Sequence, residues 1–219
     1  MFIRFFKWFA VFLVTTAGLL PAQTLVNSFD DISYWIGTGS NQSAIVIDWK
    51  DGKEPASLAW GSRWDGAATG EDMIRAIAGS IGTTTVPASP NPGGDPSLTL
   101  FTIFFSGFGF AVQELQYDLG GGEQHREGGF SSISAGFWSY WTSDASLTLP
   151  TTWVSSQVGM GDRVLTNNSW DGWSWAANFA GVAPDLPISA VPEPGTVALL
   201  IIVAGGWILL RARRKFIRP

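Results

Sequence analysis

Residues 43–49 alternate without exception, with Ile45, Ile47 and Trp49 on one face and Ala44, Val46 and Asp48 on the other. A period of two belongs to a strand, because successive side chains of a strand leave opposite faces. Short segments of this kind recur between Gln23 and Ala190, punctuated by Gly, Ser, Asp, Asn and Pro, and only one stretch carries the helical period. A chain divided in this way must build its core mainly from strands.

Residues 57–60 form a second short strand after the Asp51-Gly52 turn. The one helix starts at Thr69, with Asp72 three places on to complete a capping box. Met73, Ile74, Ile77 and Ala78 make its apolar stripe, and Gly79 closes it. Residues 82–97, rich in Thr, Pro and Gly, read as a surface loop. Residues 98–105 are nearly all apolar and read as a strand buried on both faces, turned by Ser106-Gly107-Phe108-Gly109 into a hairpin with residues 110–117. Residues 120–129, with the only histidine, His125, read as a mobile polar loop. Further strands fall at 137–141, 146–149, 163–166 and 173–179, and the expected fold is a mainly β, antiparallel β-sandwich or jelly-roll-like body over residues 23–180 with one short helix. Residues 181–190, with Pro184 and Pro187, read as a linker.

Both ends are apolar. At the start, Arg4 and Lys7 precede the apolar residues 8–20, and Pro21-Ala22 offers a small-residue exit, the layout of a signal peptide helix over 1–22 cleaved after Ala22. A permanent membrane helix is the other reading of that segment. At the finish, residues 191–219 comprise Pro192-Glu193-Pro194, an uncharged run over 196–210 read as a transmembrane helix, and a basic tail over 211–218 with Arg211, Arg213, Arg214 and Lys215 as a cytoplasmic stop. The uncharged run would reach only about 22 Å as a helix, against roughly 30 Å of hydrocarbon, so it anchors poorly unless the bilayer thins. The positive-inside rule puts the basic end in the cytoplasm and the body outside.

In the order of Pro-Glu-Pro, short apolar helix and arginine-rich end, the last 28 or so residues resemble the PEP-CTERM sorting domain of bacterial exported proteins. The resemblance implies recognition by an exosortase, a membrane protease resembling a transpeptidase, after export through signal peptidase and the Sec machinery. It also implies delivery of the body to the cell surface or extracellular matrix, with only transient anchoring in the inner membrane. An ordinary single-span anchor on a proline-rich stalk is the alternative. The body also resembles an uncharacterised exported β-rich domain in the blocks around residues 47–52, 58–66 and 162–174, a likeness that implies no chemistry.

Composition narrows the function. The chain has no cysteine, which removes thiol catalysis, thiolate metal sites and disulfide cross-links. Between Gln23 and Val191 six cations face 17 acids, a net charge of −11 that repels nucleic acid and anionic lipid. A single histidine does not furnish a Ser-His-Asp relay within structured surroundings, or a histidine metal site, and no cofactor is called for. Calcium at Asp118, Glu123 and Glu127 lacks the spacing of a known loop.

Ten of the 12 tryptophans belong to the body, and Trp-Asp-Gly occurs twice, at 64–66 and 170–172. Each copy reads as a turn pinned to the core by its indole. The functional alternative is a paired rim in which Trp64, Trp170 and Trp173 are platforms beside Asp65 and Asp171, binding polysaccharide or another small flat ligand. A third reading, a glycoside hydrolase, would draw its acid and base from Asp65, Glu71, Asp72 and Asp171 and needs two carboxyl groups about 5–9.5 Å apart. The leading expectation is a non-enzymatic surface or matrix protein.

Overall fold

The computed structural model describes residues 24–107, 109–128, 136–144 and 146–191. The predicted signal helix over 1–22 and the predicted transmembrane helix over 196–210, with its basic tail, lie outside the described residues. Among the described residues no helix is long and apolar enough to cross a membrane.

The fold is mainly β with one short helix. Strands β1 (Trp35–Gly37), β2 (Asn41–Asp48) and β3 (Ser57–Trp64) open the chain, followed by helix α1 (Gly70–Ile77). Then come β4 (Ala78–Thr83), β5 (Ser89–Pro90), β6 (Asp95–Phe105), β7 (Gly109–Gly120) and β8 (Glu123–Gly128). The chain finishes with β9 (Gly136–Ser143), β10 (Val154–Ser155), β11 (Ser169–Ala177) and β12 (Ile188–Ser189). The first sheet runs β1-β3-β2-β11-β9-β10 with β12 also on β3, and the second runs β5-β4-β6-β7-β8.

Both sheets are mixed, which corrects the expectation of antiparallel sheets. The local hairpins β2–β3, β6–β7 and β7–β8 are antiparallel. The long-range pairings β11–β2, β1–β3, β12–β3 and β4–β6 are parallel. A hairpin announces its direction through its turn, whereas a strand arriving after a long excursion carries no such signal.

The main core lies between the two sheets and α1, and joins Ile45, Ile47, Trp49 and Trp60 from the first sheet to Leu98, Leu100 and Leu115 from the second. Two indoles stitch the layers together: Trp49 Nε1 donates to the Leu115 carbonyl at 3.0 Å and Trp60 Nε1 to Asp95 Oδ2 at 2.7 Å. A second cluster, Val26, Phe29 and Ile32 against Ala44, Val46 and Trp170, covers the opposite face of the first sheet. That double cover is why β2 is buried from Ser43 to Asp48 and β11 from Ser169 to Ala176.

The helix carries the predicted capping box, with the Asp72 amide donating to Thr69 Oγ1 and the Asp72 carboxylate accepting from the Thr69 amide. Eight residues are too few to hold a helix in isolation, but burying Met73, Ile74 and Ile77 contributes about 1.5–3 kcal/mol each. Gly79 does not close it. The chain passes directly into β4 at Ala78, and a Cβ at Gly79 would meet the Asp95 carbonyl at 2.2 Å, so glycine there answers strand packing.

Four further expectations are corrected. The 82–97 loop is interrupted by β5, and β6 already starts at Asp95. Residues 98–105 are buried on one face only, with Phe104 and Phe105 exposed, because the second sheet has a layer behind it on one side. Residues 146–149 and 163–166 are not strands and make only the isolated bridges Ser28↔Thr148 and Thr69↔Val164. The 181–190 linker is docked: the Asp185 amide donates to Asp48 Oδ2 at 2.8 Å, Ile188–Ser189 pairs with β3, and Ala190 is fully buried.

Candidate functional site

The two Trp-Asp-Gly copies fold differently. In the first, Asp65 Oδ1 accepts from the amide and hydroxyl of Ser40, both at 2.9 Å, and Gly66 takes φ +75° as β3 turns away. These bonds hold the Asp65 carboxyl below the usual carboxylate range, the Ser40 amide contributing most. Trp64 is half-buried against the main core. The second copy is not a turn. Trp170, Asp171 and Gly172 lie inside β11, paired with β2 on one side and β9 on the other.

The expectation of a rim of exposed platforms is therefore corrected for its second half. Trp170 and Asp171 are fully buried and Trp173 is 5% exposed. Trp170 packs on Phe29 with ring centroids 4.7 Å apart, on the face of the sheet opposite the one that holds Trp173. All ten body tryptophans are buried or half-buried. The indole donors of Trp35, Trp49, Trp60, Trp138, Trp141 and Trp170 find partners inside the fold, as when Trp170 Nε1 donates to the Ser146 carbonyl at 2.7 Å and Trp35 Nε1 to the Ile32 carbonyl at 2.9 Å.

Two buried polar clusters emerge instead. In the first, Tyr140 of β9 donates its hydroxyl to Asp171 Oδ2 and stacks on Trp173 with centroids 4.3 Å apart. Arg163 Nε reaches Asp171 Oδ1 at 3.4 Å, and its Nη2 holds Asp144 at 2.6 Å. Burial raises Asp171 to about 6 despite the hydrogen bond from Tyr140 and the charge of Arg163. Burial, then the Asp171 charge, pushes the Tyr140 hydroxyl well above the ordinary tyrosine range. The cluster is closed by packing: a Cβ at Gly70 would lie 2.3 Å from Tyr140 Oη and 3.0 Å from Asp171 Oδ2. It pins the start of α1 to the first sheet and leaves no room for a ligand atom between them.

The second cluster overturns the reading of 120–129 as a mobile loop. Gly120, Gly121 and Gly122, all at positive φ, turn β7 into β8, and alternation along β8 sends His125 inward and Gln124 and Arg126 outward. His125 is fully buried, stacks on Trp49 at 4.7 Å, and places Nδ1 3.0 Å from Asp51 Oδ1. Burial opposes ionisation of Asp51, but the His125 hydrogen bond and the Lys53 amide outweigh it and hold this carboxyl below its usual range. His125 Nε2 has no hydrogen-bond partner among the described residues, so an orienting carboxylate is present without a nucleophile beyond the ring.

The carboxylates considered for hydrolysis are each engaged locally: Asp65 by Ser40, Asp171 by Tyr140 and Arg163, Glu71 by Arg75 at 2.7 Å, and Asp72 by Thr69. Among the described residues no three His, Cys, Asp or Glu side chains are grouped to hold a metal ion. The sorting residues Pro192, Glu193 and Pro194 and the basic stop Arg211, Arg213, Arg214 and Lys215 lie outside the described residues.

No family model, curated protein or solved structure matches this chain.

Proposed function

We propose that this is an exported cell-surface or extracellular-matrix protein whose β-rich body is non-catalytic and is delivered by its C-terminal tail. The observation that carries this reading is the order Pro192-Glu193-Pro194, uncharged residues 196–210, then Arg211, Arg213, Arg214 and Lys215. The basic end stays in the cytoplasm and the body lies outside, where an exosortase-type membrane protease would act on the tail. The absence of cysteine and the −11 charge of the body fit a soluble unit that relies on packing alone. The local engagement of Asp65, Glu71, Asp72 and Asp171 supports a body without hydrolytic chemistry.

Replacing Pro192, Glu193 and Pro194 together by alanine should leave the protein in the membrane fraction with its arginine-rich end intact. Mass spectrometry of both mature termini from native cells reads the outcome, and unchanged trimming and release in the variant would remove the sorting function.

A further inference from the structure

Alternation divides most residues of the second sheet, interrupted by a register shift between Phe101 and Thr102 that leaves Gln113 beside Glu114 on the same concavity. Leu98, Leu100, Leu115 and His125 point to the core, so the intervening positions face away from the first sheet. Register then sets Phe101 beside Glu114, Thr99 beside Gln116, and Gln116 beside Arg126. Two concavities occupy this outer face. One of about 330 Å³ lies between the 83–87 turn, Phe101 and Arg126, and one of about 390 Å³ lies between Pro96, Gln116 and Gln124. Because Phe101 and Glu114 are two positions along the strands from Thr99 and Gln116, the concavities are neighbours on the same outer face, and together they make up the candidate groove.

The polar groups of this groove are held in place. Glu114 is 7% exposed, and its Oε1 accepts from Arg126 Nε at 2.7 Å and from Gln116 Nε2. Gln113 Oε1 accepts from Thr84 Oγ1 at 2.8 Å, which fixes the plane of its amide. Phe101 is fixed against Gly82 of β4, where a Cβ would come within 2.8 Å of its ring. The groove therefore combines a carboxylate oxygen able to accept, amide donors in set planes and one aromatic ring.

We propose that this outer face binds a neutral oligosaccharide lying along β6, β7 and β8. A sugar ring offers hydroxyls to carboxylate and amide groups and a C–H face to an aromatic ring, which matches what the groove presents. Among the described residues that line it, the one cation, Arg126, is already paired with Glu114, while Asp118 and Glu123 add negative charge, so an anionic polymer is repelled. The site lies away from both Trp-Asp-Gly copies and goes beyond the sorting function, which would survive if the groove bound nothing.

Calorimetric titration of the full chain in detergent with hexasaccharides of β-1,4-glucose, β-1,3-glucose and β-1,4-mannose, and with anionic hexagalacturonate, tests the site. At least one neutral hexasaccharide should bind with a dissociation constant of about 1 mM or tighter. Phe101→Ala and the exposed-face change Gln124→Ala should each weaken it by at least about tenfold with melting temperature unchanged for Gln124→Ala. Silence from every neutral hexasaccharide, stronger binding of hexagalacturonate, or affinity unaltered in both variants would each overturn the proposal.

Discussion

A carboxylate placed in the middle of a sheet either finds donors or stays neutral, and Asp171 does some of both. Its folded value of about 6 lies above the ordinary 3.8, so the folded state holds the proton more tightly than the unfolded state does. Stability contributed by the neutral form is full below about 4 and is lost as pH rises through about 6, an effect on the order of 3 kcal/mol. Asp171→Asn cannot ionise and should flatten that decline, as measured by urea denaturation at several values across this range. A wild-type minus variant difference that does not change with pH would refute the raised carboxyl. Gly70→Ala should lower stability by about 1–3 kcal/mol, because the new methyl collides with Tyr140 Oη and parts it from Asp171. Loss of near-ultraviolet circular dichroism from the Tyr140–Trp173 stack would accompany the lower melting temperature.

Elements whose pattern is local were readable from the sequence: the alternation of β2, the β6–β7 hairpin, and the Thr69–Asp72 capping box all depend on residues within a few positions of one another. Strand β8 escaped because its inward residues are His125 and Glu127, and a strand whose buried face is polar looks like a loop by composition. The second Trp-Asp-Gly reads as a turn because Asp-Gly favours one. Only the long-range packing of Pro184 and Trp153 over Gly172 shows why glycine is needed there in extended backbone. Strand β12 escaped for the same reason. Its Ser189 accepts the Ser33 amide on Oγ at 2.7 Å and donates its own amide to the Thr24 carbonyl at 2.8 Å. Ser189→Ala would leave the Ser33 amide without its acceptor, at a cost of about 1–3 kcal/mol. Hydrogen exchange should then quicken together at Val26, Ser33 and Ala190, and acceleration at Ser33 alone would mean that the two end segments are not one cooperative unit.

Thr24, Leu25 and Val26 run beside Pro187, Ile188 and Ser189, so the body opens and finishes on one edge of the first sheet. Joining the two through a short Gly-Ser bridge and opening the chain in the 84–88 turn should yield a circular permutant with near-native melting behaviour. If the body is exported as proposed, the neighbourhood also sets an order of events. If the chain leaves the cell amino end first, Leu58 and Ala59 on the β3 edge, beyond the stretch that β1 covers, stay uncovered until the final dozen residues of the body have emerged; Ala59 then waits for Ser189 and Ala190, and Val26 for Pro187, to complete the seam. The last length of polypeptide to cross is thus also the piece that locks the first.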